Sequence, residues 1–406
     1  MPASRLSKRS KVRPHPLARA PIVDRVARFL DTGWDKGWMP PPPLEPEELI
    51  KRGSKNFTQE HESASRTEED IADFRLRLEQ LCDAVQQEGR LNAVGKAFAY
   101  GLITRAIQQR FALGKLWQEQ PGLATTEIAA PIIVLGQMRS GTTRIHRLLA
   151  ADPAHSATRF CDSWHPVPEK PDFRPLRGSF KLFMARKLDP WLDTIHPFGA
   201  ARADEELGWL ASALDHSAYE AQWHIPSYVA FSEARDAGPV YAEFERLLRT
   251  DAGQHGHGDR PRILKVPQFT EDLPSLLTRF PDARLVVSKR CSEETWRSSV
   301  SLVANQMVIQ SDDVDLDWIE QEWRRKIALR DARLTKALDG WSGPVAMVDF
   351  DHLGADWEGE MRDLYAALEL PFTDKSLRAM TAEMRKSKGG AHESHAAQLN
   401  SFNNAG

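Results

Sequence analysis

The pattern of hydrophobic and polar positions predicts short buried strands that are each followed by a helix. Residues 131–135 (PIIVL) are all apolar, as expected of a parallel strand covered on both faces. From Thr142, apolar residues follow helical spacing until Asp152 and Pro153 end the run. Further strands are predicted at 262–266, 283–288 and 344–353, the last followed by a helix from about 357 to 368. The predicted fold class is therefore α/β.

The N-terminal part of the chain has a different pattern. Residues 1–20 contain six Lys or Arg, no acid and no long apolar run, which indicates a disordered basic tail rather than a targeting signal. Residues 41–48 (PPPLEPEE) are typical of a stiff spacer. Over 67–89, apolar residues recur every three or four positions, which predicts an amphipathic helix that packs on the core domain or forms a dimer seam. We divide the chain into a tail and spacer (1–64), a helical extension (65–125) and an α/β domain (126–400).

Composition narrows the choice of function. The 406 residues contain 54 Lys or Arg and 57 Asp or Glu, and this net charge of -3 argues against a nucleic-acid partner. The longest apolar runs fall far short of the ~20 residues of a membrane helix, so stable membrane insertion is not expected. Three cysteines form neither a CxxC motif nor an even disulfide set, which favours a reducing compartment, the cytoplasm.

The loop after the first strand has the residues of a phosphate-binding site. Gly136 and Gly141 bracket it, and the following helix would offer backbone N–H groups and its positive dipole end to an anion. A Walker loop has Lys where this chain has Thr142, and the cation is Arg139 instead. Ser140 and Thr143 add hydroxyl donors. An ordinary glycine turn of an α/β domain is the alternative.

Two segments resemble the donor-binding motifs of sulfotransferases that use 3′-phosphoadenosine-5′-phosphosulfate (PAPS). RSGTT at 139–143 is similar to the family's 5′-phosphosulfate loop, where Lys or Arg precedes Ser-Gly-Thr-Thr. The predicted strand near 283–288 leads to Arg290, and Ser298 follows eight residues later, as in the family's 3′-phosphate site. A solvated arginine and a helix-surface serine are the alternative. Segments 88–136, 195–209 and 262–287 resemble the bacterial branch, and the resemblance covers roughly 65–400.

The resemblance implies a P-loop-like parallel sheet and a set of residue roles. Arg139, Ser140, Gly141, Thr142 and Thr143 would bind the diphosphate-like part of PAPS, with Arg139 also acting in catalysis. Arg290 and Ser298 would bind the 3′-phosphate. Lys265, which ends the strand RILKV, would meet the bridging oxygen or the sulfonate, unless it is an ordinary edge lysine. No metal would be required, and the product would be 3′,5′-adenosine bisphosphate.

A basic segment near the C-terminus completes the predicted nucleotide site. Lys388 and Gly389, within 384–400, resemble the family's basic glycine-containing loop that closes over the 3′-phosphate. A solvated basic turn is the alternative.

The general base is where the sequence departs from the family pattern. Animal cytosolic sulfotransferases have His two residues after the lysine, but this chain has Pro267 there. Other branches have Glu in a Trp-Glu pair, and this chain has Trp164 followed by His165. We therefore predict His165 as the base, since an imidazole has a suitable pKa. The alternatives are Asp162, Glu169, His196 and Glu205.

Three functions stay open at this point. The first is transfer of a sulfuryl group from PAPS to the hydroxyl of a small-molecule acceptor that the sequence does not identify. The second is phosphoryl transfer by a P-loop kinase or NTPase, which Thr142 disfavours because the Walker lysine is missing. The third is a catalytically inactive binding protein on the same fold, which the displaced base favours.

Overall fold

A computed structural model describes residues 13–387. The helices that precede the sheet are α1 Pro21–Asp35, α2 Pro46–Gly53, α3 Gln59–Ser63, α4 Glu68–Gln87 and α5 Ala93–Glu119. The helices that follow the first strand are α6 Thr142–Ala151, α7 Phe160–Trp164, α8 Arg174–Leu188, α9 Leu192–Ile195, α10 Leu207–Ser212, α11 Pro226–Glu233, α12 Gly238–His255, α13 Leu273–Arg279, α14 Ser292–Gln310, α15 Leu316–Asp339, α16 Phe350–Ala355, α17 Trp357–Ala367 and α18 Asp374–Ser387. Short 3-10 helices cover Pro121–Thr125, His216–Ala218 and Pro267–Thr270.

Five parallel strands form the sheet in the order β2-β3-β1-β4-β5, which confirms the α/β fold class. The strands are β1 Ile132–Leu135, β2 Ser156–Ala157, β3 Arg262–Lys265, β4 Arg284–Lys289 and β5 Val345–Asp349. The central strand β1 pairs with β3 on one side and β4 on the other, with Val134 opposite Lys265 and Leu135 opposite Val287. The loops that leave these three strands therefore begin at one crevice.

Alternate residues of β1 belong to two different cores. Ile133 and Leu135 pack in a cluster with Phe244 of α12. Ile132 and Val134 pack in a second cluster, which includes Leu148 and Leu149 of α6 and Tyr365 of α17. This period of two follows from the pleat of a strand that is covered by helices on both faces.

The predicted amphipathic helix is α4, and its apolar face packs within the chain. Thr67 caps it by accepting the backbone N–H of Asp70, whose carboxylate accepts the N–H of Thr67. Phe74 and Leu78 lie in a core cluster with Ile103 of α5. The alternative in which this face forms a dimer seam is wrong, because Leu78 has no exposed surface.

The description of residues 1–64 as a tail and spacer is wrong for the part that the structure describes. That region contains α1, α2 and α3, and the buried Arg13 donates to the carbonyl oxygen of Ser301 at 2.8 Å. Pro46 begins α2 at a first-turn position, where its missing N–H costs nothing, so the proline run leads into a helix. Residues 1–12 lie outside the described range.

The predicted strand at 344–353 is too long, because β5 ends at Asp349. The Asp349 carboxylate accepts the backbone N–H of Asp351 at 2.8 Å and so starts α16. Within residues 13–387, no helix has the length and apolar character needed to cross a bilayer.

A buried ion cluster connects α15 to the segment that follows β3. Lys326 Nζ lies 2.7 to 2.9 Å from carboxylate oxygens of Glu220, Glu233 and Glu271. Arg330 also pairs with Glu220 and Glu271. Charges so far from water are tolerated only when each is paired, so these contacts fix the position of the 3-10 helix at 267–270 next to the crevice.

Replacing Lys326 tests this cluster. We expect Lys326→Met to lower the free energy of unfolding by about 3–5 kcal/mol, because it leaves buried carboxylates without their cation. Lys336→Met is the matched control, since Lys336 is exposed on the same helix. Urea denaturation monitored by circular dichroism measures both changes. Equal losses in the two variants would contradict this account.

Candidate active site

The loop between β1 and α6 has three residues with a positive φ angle, a conformation that glycine adopts easily and other residues do not. Gly136 and Gly141 have φ values of 142° and 92°, and Arg139 has a φ of 72°. A Cβ atom on Gly141 would lie 2.1 Å from a ring carbon of Phe350, so a larger residue does not fit. A non-glycine residue at positive φ is uncommon and costs free energy, so the surrounding contacts must hold it in place. The loop is therefore built for a specific shape.

Two serines hold this loop in place. Ser288 at the end of β4 donates its hydroxyl to the carbonyl oxygen of Ser140 at 2.7 Å, and Ser140 donates its own to the carbonyl oxygen of Gln137 at 2.7 Å. The loop ends at the N-terminus of α6, where Gly141 is the N-cap and has no side chain to accept the first N–H groups. An anion at this position would accept them and meet the positive end of the helix dipole.

The segment after β4 meets the loop at Arg139. The Nε of Arg139 donates to the Ser298 hydroxyl at 2.9 Å. The Nη1 of Arg290 donates to the carbonyl oxygen of Arg139 at 2.8 Å. The Arg290 guanidinium also stacks on Phe350, 4.4 Å from the ring centroid. The structure thus brings together the two segments that were predicted to bind phosphate.

Two guanidinium groups close together make this corner of the crevice strongly cationic. Burial, together with the positive charge of Arg290, lowers the pKa of Arg139 to about 10. Arg139 therefore stays charged at neutral pH, although its environment disfavours the charge. A bound anion would offset the burial and the repulsion, which makes the corner suited to a phosphate group.

Lys265 lies at the end of β3, between the loop and an acidic pair. Its side chain is buried, and its Nζ donates to the Thr143 hydroxyl at 3.3 Å and forms an ion pair with Glu205. Its backbone N–H donates to Glu206 Oε2 at 2.9 Å. A single ammonium group thus connects the phosphate-type loop with a carboxylate.

A cavity of about 550 Å³ opens at these residues. The polar part of its wall includes the residues described above, Arg139, Thr142, Thr143, Glu205, Lys265 and Arg290. The rest of the wall is largely apolar, with Phe98, Leu102, Phe160, Trp164, Leu182, Leu188, Phe198, Leu207 and Leu302 among its residues. Such a cavity suits a molecule whose reacting group is polar and whose body is hydrophobic.

The structure does not bring His165 to the wall of this cavity. Its Nε2 lies 2.6 Å from Lys181 Nζ. Burial and the positive charge of Lys181 lower the pKa of His165 to about 3. An imidazole in this environment is a weak base at neutral pH, and its hydrogen bond is to Lys181 and not to Lys265 or the loop.

The four alternative bases divide into two groups. Asp162 pairs with Arg159 and Arg174, Glu169 pairs with Arg177, and neither acid lines the cavity. His196 and Glu205 both line it. His196 contacts Asp204 at 3.1 Å, whereas Glu205 contacts Lys265 directly. Of the candidate bases, Glu205 is therefore the one that is connected to the phosphate-type loop, through Lys265 and its hydrogen bond to Thr143.

Phe350 contributes to the site but was not predicted from the sequence. It directly follows β5, and the rule that parallel strands end at a common edge would have pointed to it. Lys388 and Gly389 lie outside the described residues.

Two groups of potential metal ligands in the described residues already contact cationic side chains. His216, Glu233 and Glu271 surround the ammonium group of Lys326. In the other group, which consists of Asp162, Asp251 and His255, Asp162 pairs with Arg174 and Asp251 pairs with Arg262. These contacts explain the clustering of the acids without an ion.

Comparisons with known proteins agree on one family. The sequence matches the Sulfotransferase family over residues 131–374. The crystal structure of sulfotransferase STF1 from Mycobacterium tuberculosis H37Rv matches with a TM-score of 0.74 and 25% identity, covering 83% of this chain and 92% of that chain. Sulfotransferase STF9 from Mycobacterium avium has the same fold, with a TM-score of 0.74 at 18% identity, covering 84% of this chain and 87% of that chain. The search of curated proteins gave no match.

The buried Glu206 beneath Lys265 gives a testable pH dependence. Burial raises the pKa of Glu206 to about 8, whereas a glutamate in the unfolded chain titrates near about 4.3. Between these values only the folded state keeps the proton, so this group makes the free energy of unfolding fall as pH rises. We expect Glu206→Gln to remove that dependence and to gain stability relative to the wild type from pH 5 to pH 8, by up to about 1.4 kcal/mol per pH unit.

Urea denaturation at several pH values measures this difference. Glu60→Gln, which changes an exposed glutamate, is the control and should leave the pH profile unchanged. A constant difference between Glu206→Gln and the wild type across this range would show that Glu206 is ionised in the folded protein.

Proposed function

The chain belongs to the sulfotransferase family, and we propose that it transfers a sulfuryl group from PAPS to a hydroxyl group of a small-molecule acceptor. The observation that carries the donor assignment is the junction at Arg139. There, the loop before α6 is hydrogen-bonded to Ser298 and Arg290, so the two segments that we propose to bind phosphate are in direct contact. A nucleotide with phosphates at both the 3′ and 5′ positions suits that arrangement.

In this proposal, each of the two segments binds a different part of the donor. The loop from Arg139 to Thr143 and the N-terminus of α6 bind the 5′-phosphosulfate. Arg290 and Ser298 bind the 3′-phosphate, with Lys388 and Gly389 as a further proposed contribution. The proposal includes no divalent ion, since the leaving phosphate can be stabilised by Arg139, Lys265 and backbone N–H groups.

The proposed reaction is an in-line displacement at sulfur. The acceptor oxygen forms a bond to sulfur while the bond from sulfur to the bridging oxygen of the 5′-phosphate breaks. The electron pair of that bond stays on the leaving 3′,5′-adenosine bisphosphate, next to Lys265 and the hydroxyl of Thr143. The proton of the acceptor hydroxyl moves to a carboxylate, for which we propose Glu205.

The choice of Glu205 rests on its contacts. It lines the cavity and pairs with Lys265, so an acceptor hydroxyl bound against it would lie near the donor. His165 has neither contact. The pairing with Lys265 also positions the carboxylate before any ligand binds.

Two other functions, a kinase or NTPase and an inactive binding protein, would give different results in the tests below. A kinase or NTPase would hydrolyse or transfer the phosphate of ATP with magnesium, although Thr142 stands where the Walker lysine is needed. An inactive protein would bind the bisphosphate without turnover. A cytoplasmic location stays a prediction, consistent with the three free cysteines, and a homodimer is likewise untested.

Nucleotide choice tests the donor site. We expect 3′,5′-adenosine bisphosphate to bind far more tightly than AMP or ATP, because AMP has no 3′-phosphate to contact Arg290. Arg290→Ala should weaken bisphosphate binding by about 10- to 150-fold, the equivalent of a charged hydrogen bond of about 1.5–3 kcal/mol. Isothermal titration calorimetry measures these affinities.

Arg297→Ala is the matched control for this substitution. Arg297 lies on α14, one residue before Ser298, but is exposed and pairs with Glu293. We expect bisphosphate affinity to be retained in this variant. Equal affinity of the wild type for AMP and the bisphosphate would refute the assignment of the 3′-phosphate site.

Turnover of a Glu205 variant tests the proposed base. We expect Glu205→Gln to lower turnover by about 10²–10⁴-fold, the range for loss of a general base, without loss of bisphosphate affinity. Transfer of labelled sulfate from PAPS to a panel of hydroxylated acceptors is the assay, run in the presence of EDTA.

His165→Ala is the comparison that decides between the two bases. It should retain turnover, because His165 is not part of the cavity wall. If His165→Ala is inactive and Glu205→Gln is active, the base is His165. A wild type that binds the bisphosphate but has no turnover would support the inactive binding protein.

A further inference from the structure

Helix α8 exposes an unusual amount of apolar surface. In residues 13–387, five of the nine exposed large hydrophobic side chains lie between residues 173 and 184, and each is 45% to 69% exposed. These five are Phe173, Leu176, Phe180, Phe183 and Met184. A concentration of this kind in a short segment marks an interaction surface.

The exposed side chains form a stripe on one face of the helix. Leu176, Phe180, Phe183 and Met184 are spaced by four, three and one residues, which places them within an arc of about 100°. We call these four residues the α8 stripe. The opposite face of α8 supplies Leu182, Ala185 and Leu188 to the wall of the cavity. One face of α8 therefore lines the cavity and the other is exposed to solvent.

The ionisable side chains of α8 are all basic, namely Arg174, Arg177, Lys181, Arg186 and Lys187. Arg174 is buried in ion pairs, and burial lowers the pKa of Lys181 to about 7, so the other three supply the positive charge at the surface. Arg177 and Arg186 flank the stripe and form surface ion pairs with Glu169 and Asp193, which are weak in water. The Nζ of Lys187 lies over the Phe183 ring, 5.1 Å from its centroid, so a cation accompanies the stripe itself.

We propose that α8 docks the protein on the surface of an anionic lipid bilayer. The α8 stripe enters the boundary between headgroups and acyl chains, and Arg177, Arg186 and Lys187 contact lipid phosphates. The helix lies in the plane of the interface, since its 15 residues are too few to cross a bilayer.

Charge favours a bilayer over a second copy of the chain. A two-fold dimer through the stripe would bring the surface cations of two copies, Arg177, Arg186 and Lys187, close together, with only weak surface ion pairs to offset the repulsion. An anionic bilayer instead offers both an apolar interior for the stripe and phosphates for the cations. On α8, the surface cations lie next to the stripe, between residues 177 and 187.

Docking through α8 also indicates the class of acceptor, and this step depends on the proposed function. A lipid alcohol leaving the bilayer beside α8 would enter a cavity whose wall includes Leu182 and Leu188. Its hydroxyl would reach the polar part of the wall, where Glu205 and Lys265 lie, while its hydrocarbon part stays against the apolar wall. The acceptor class is therefore a membrane-resident lipid alcohol.

Vesicle flotation tests the docking without any donor or acceptor. The full chain is mixed with vesicles of phosphatidylcholine and phosphatidylglycerol, or of phosphatidylcholine alone. We expect binding to the anionic vesicles that weakens as salt is added, and far less binding to the neutral ones.

Substitutions in the stripe identify the contact surface. Phe180→Ser combined with Phe183→Ser should lower partitioning into anionic vesicles by about tenfold or more, because two aromatic rings no longer enter the interface. Lys187→Gln should lower it by about fivefold. Met347→Ser is the matched control, because Met347 is 49% exposed, like Phe183, but lies on β5. It should bind as the wild type does.

Three results would overturn the proposal. The first is no binding of the wild type to anionic vesicles, and the second is unchanged binding of the double variant. The third is a wild-type dimer in analytical ultracentrifugation that the double substitution dissociates, which would assign the stripe to a second copy. Bisphosphate affinity, measured in parallel, confirms that the variants are folded. It also separates a failure of docking from a failure of the donor site.

Discussion

The hydrogen bonding of β1 on both of its edges is the constraint on which the site depends. Because β1 pairs with β3 and β4 in parallel, the chain must leave all three strands at the same edge of the sheet. The pairing of Val134 with Lys265 fixes how far the lysine lies from the loop. A shift in register by one residue would turn Lys265 to the other face of the sheet.

The distribution of charge is compatible with the proposed anionic donor, although the net charge of the chain is -3. Arg139 and Arg290 meet at the crevice, while many acids are used in internal pairs such as those around Lys326. The positive potential at the crevice is therefore local and does not appear in the total charge. The buried ion pairs also fix the backbone next to the crevice. They therefore contribute both to the stability of the fold and to the geometry of the site.

The sequence was sufficient for features that depend on neighbouring residues in the chain. Local spacing was enough to predict the loop at 136–143, the end of β3 at Lys265, the position of Arg290 directly after β4, and helix α4. It was not enough to predict the contacts of His165, because Lys181 is brought to it by the fold of α8 sixteen residues later. Lys326 likewise has the pattern of a surface helix residue, and only the packing of α15 buries it. Partners distant in the chain have no local signature.

The positive φ of Arg139 has a consequence for the kinetics of ligand capture. The backbone strain at this residue is offset during folding by the hydrogen bonds that Arg290 and Ser298 make with it. A donor that binds as proposed would therefore meet a loop whose backbone is already held in place by these hydrogen bonds. Diffusion and electrostatic attraction would then limit the association rate, and the lifetime of the complex would set the affinity.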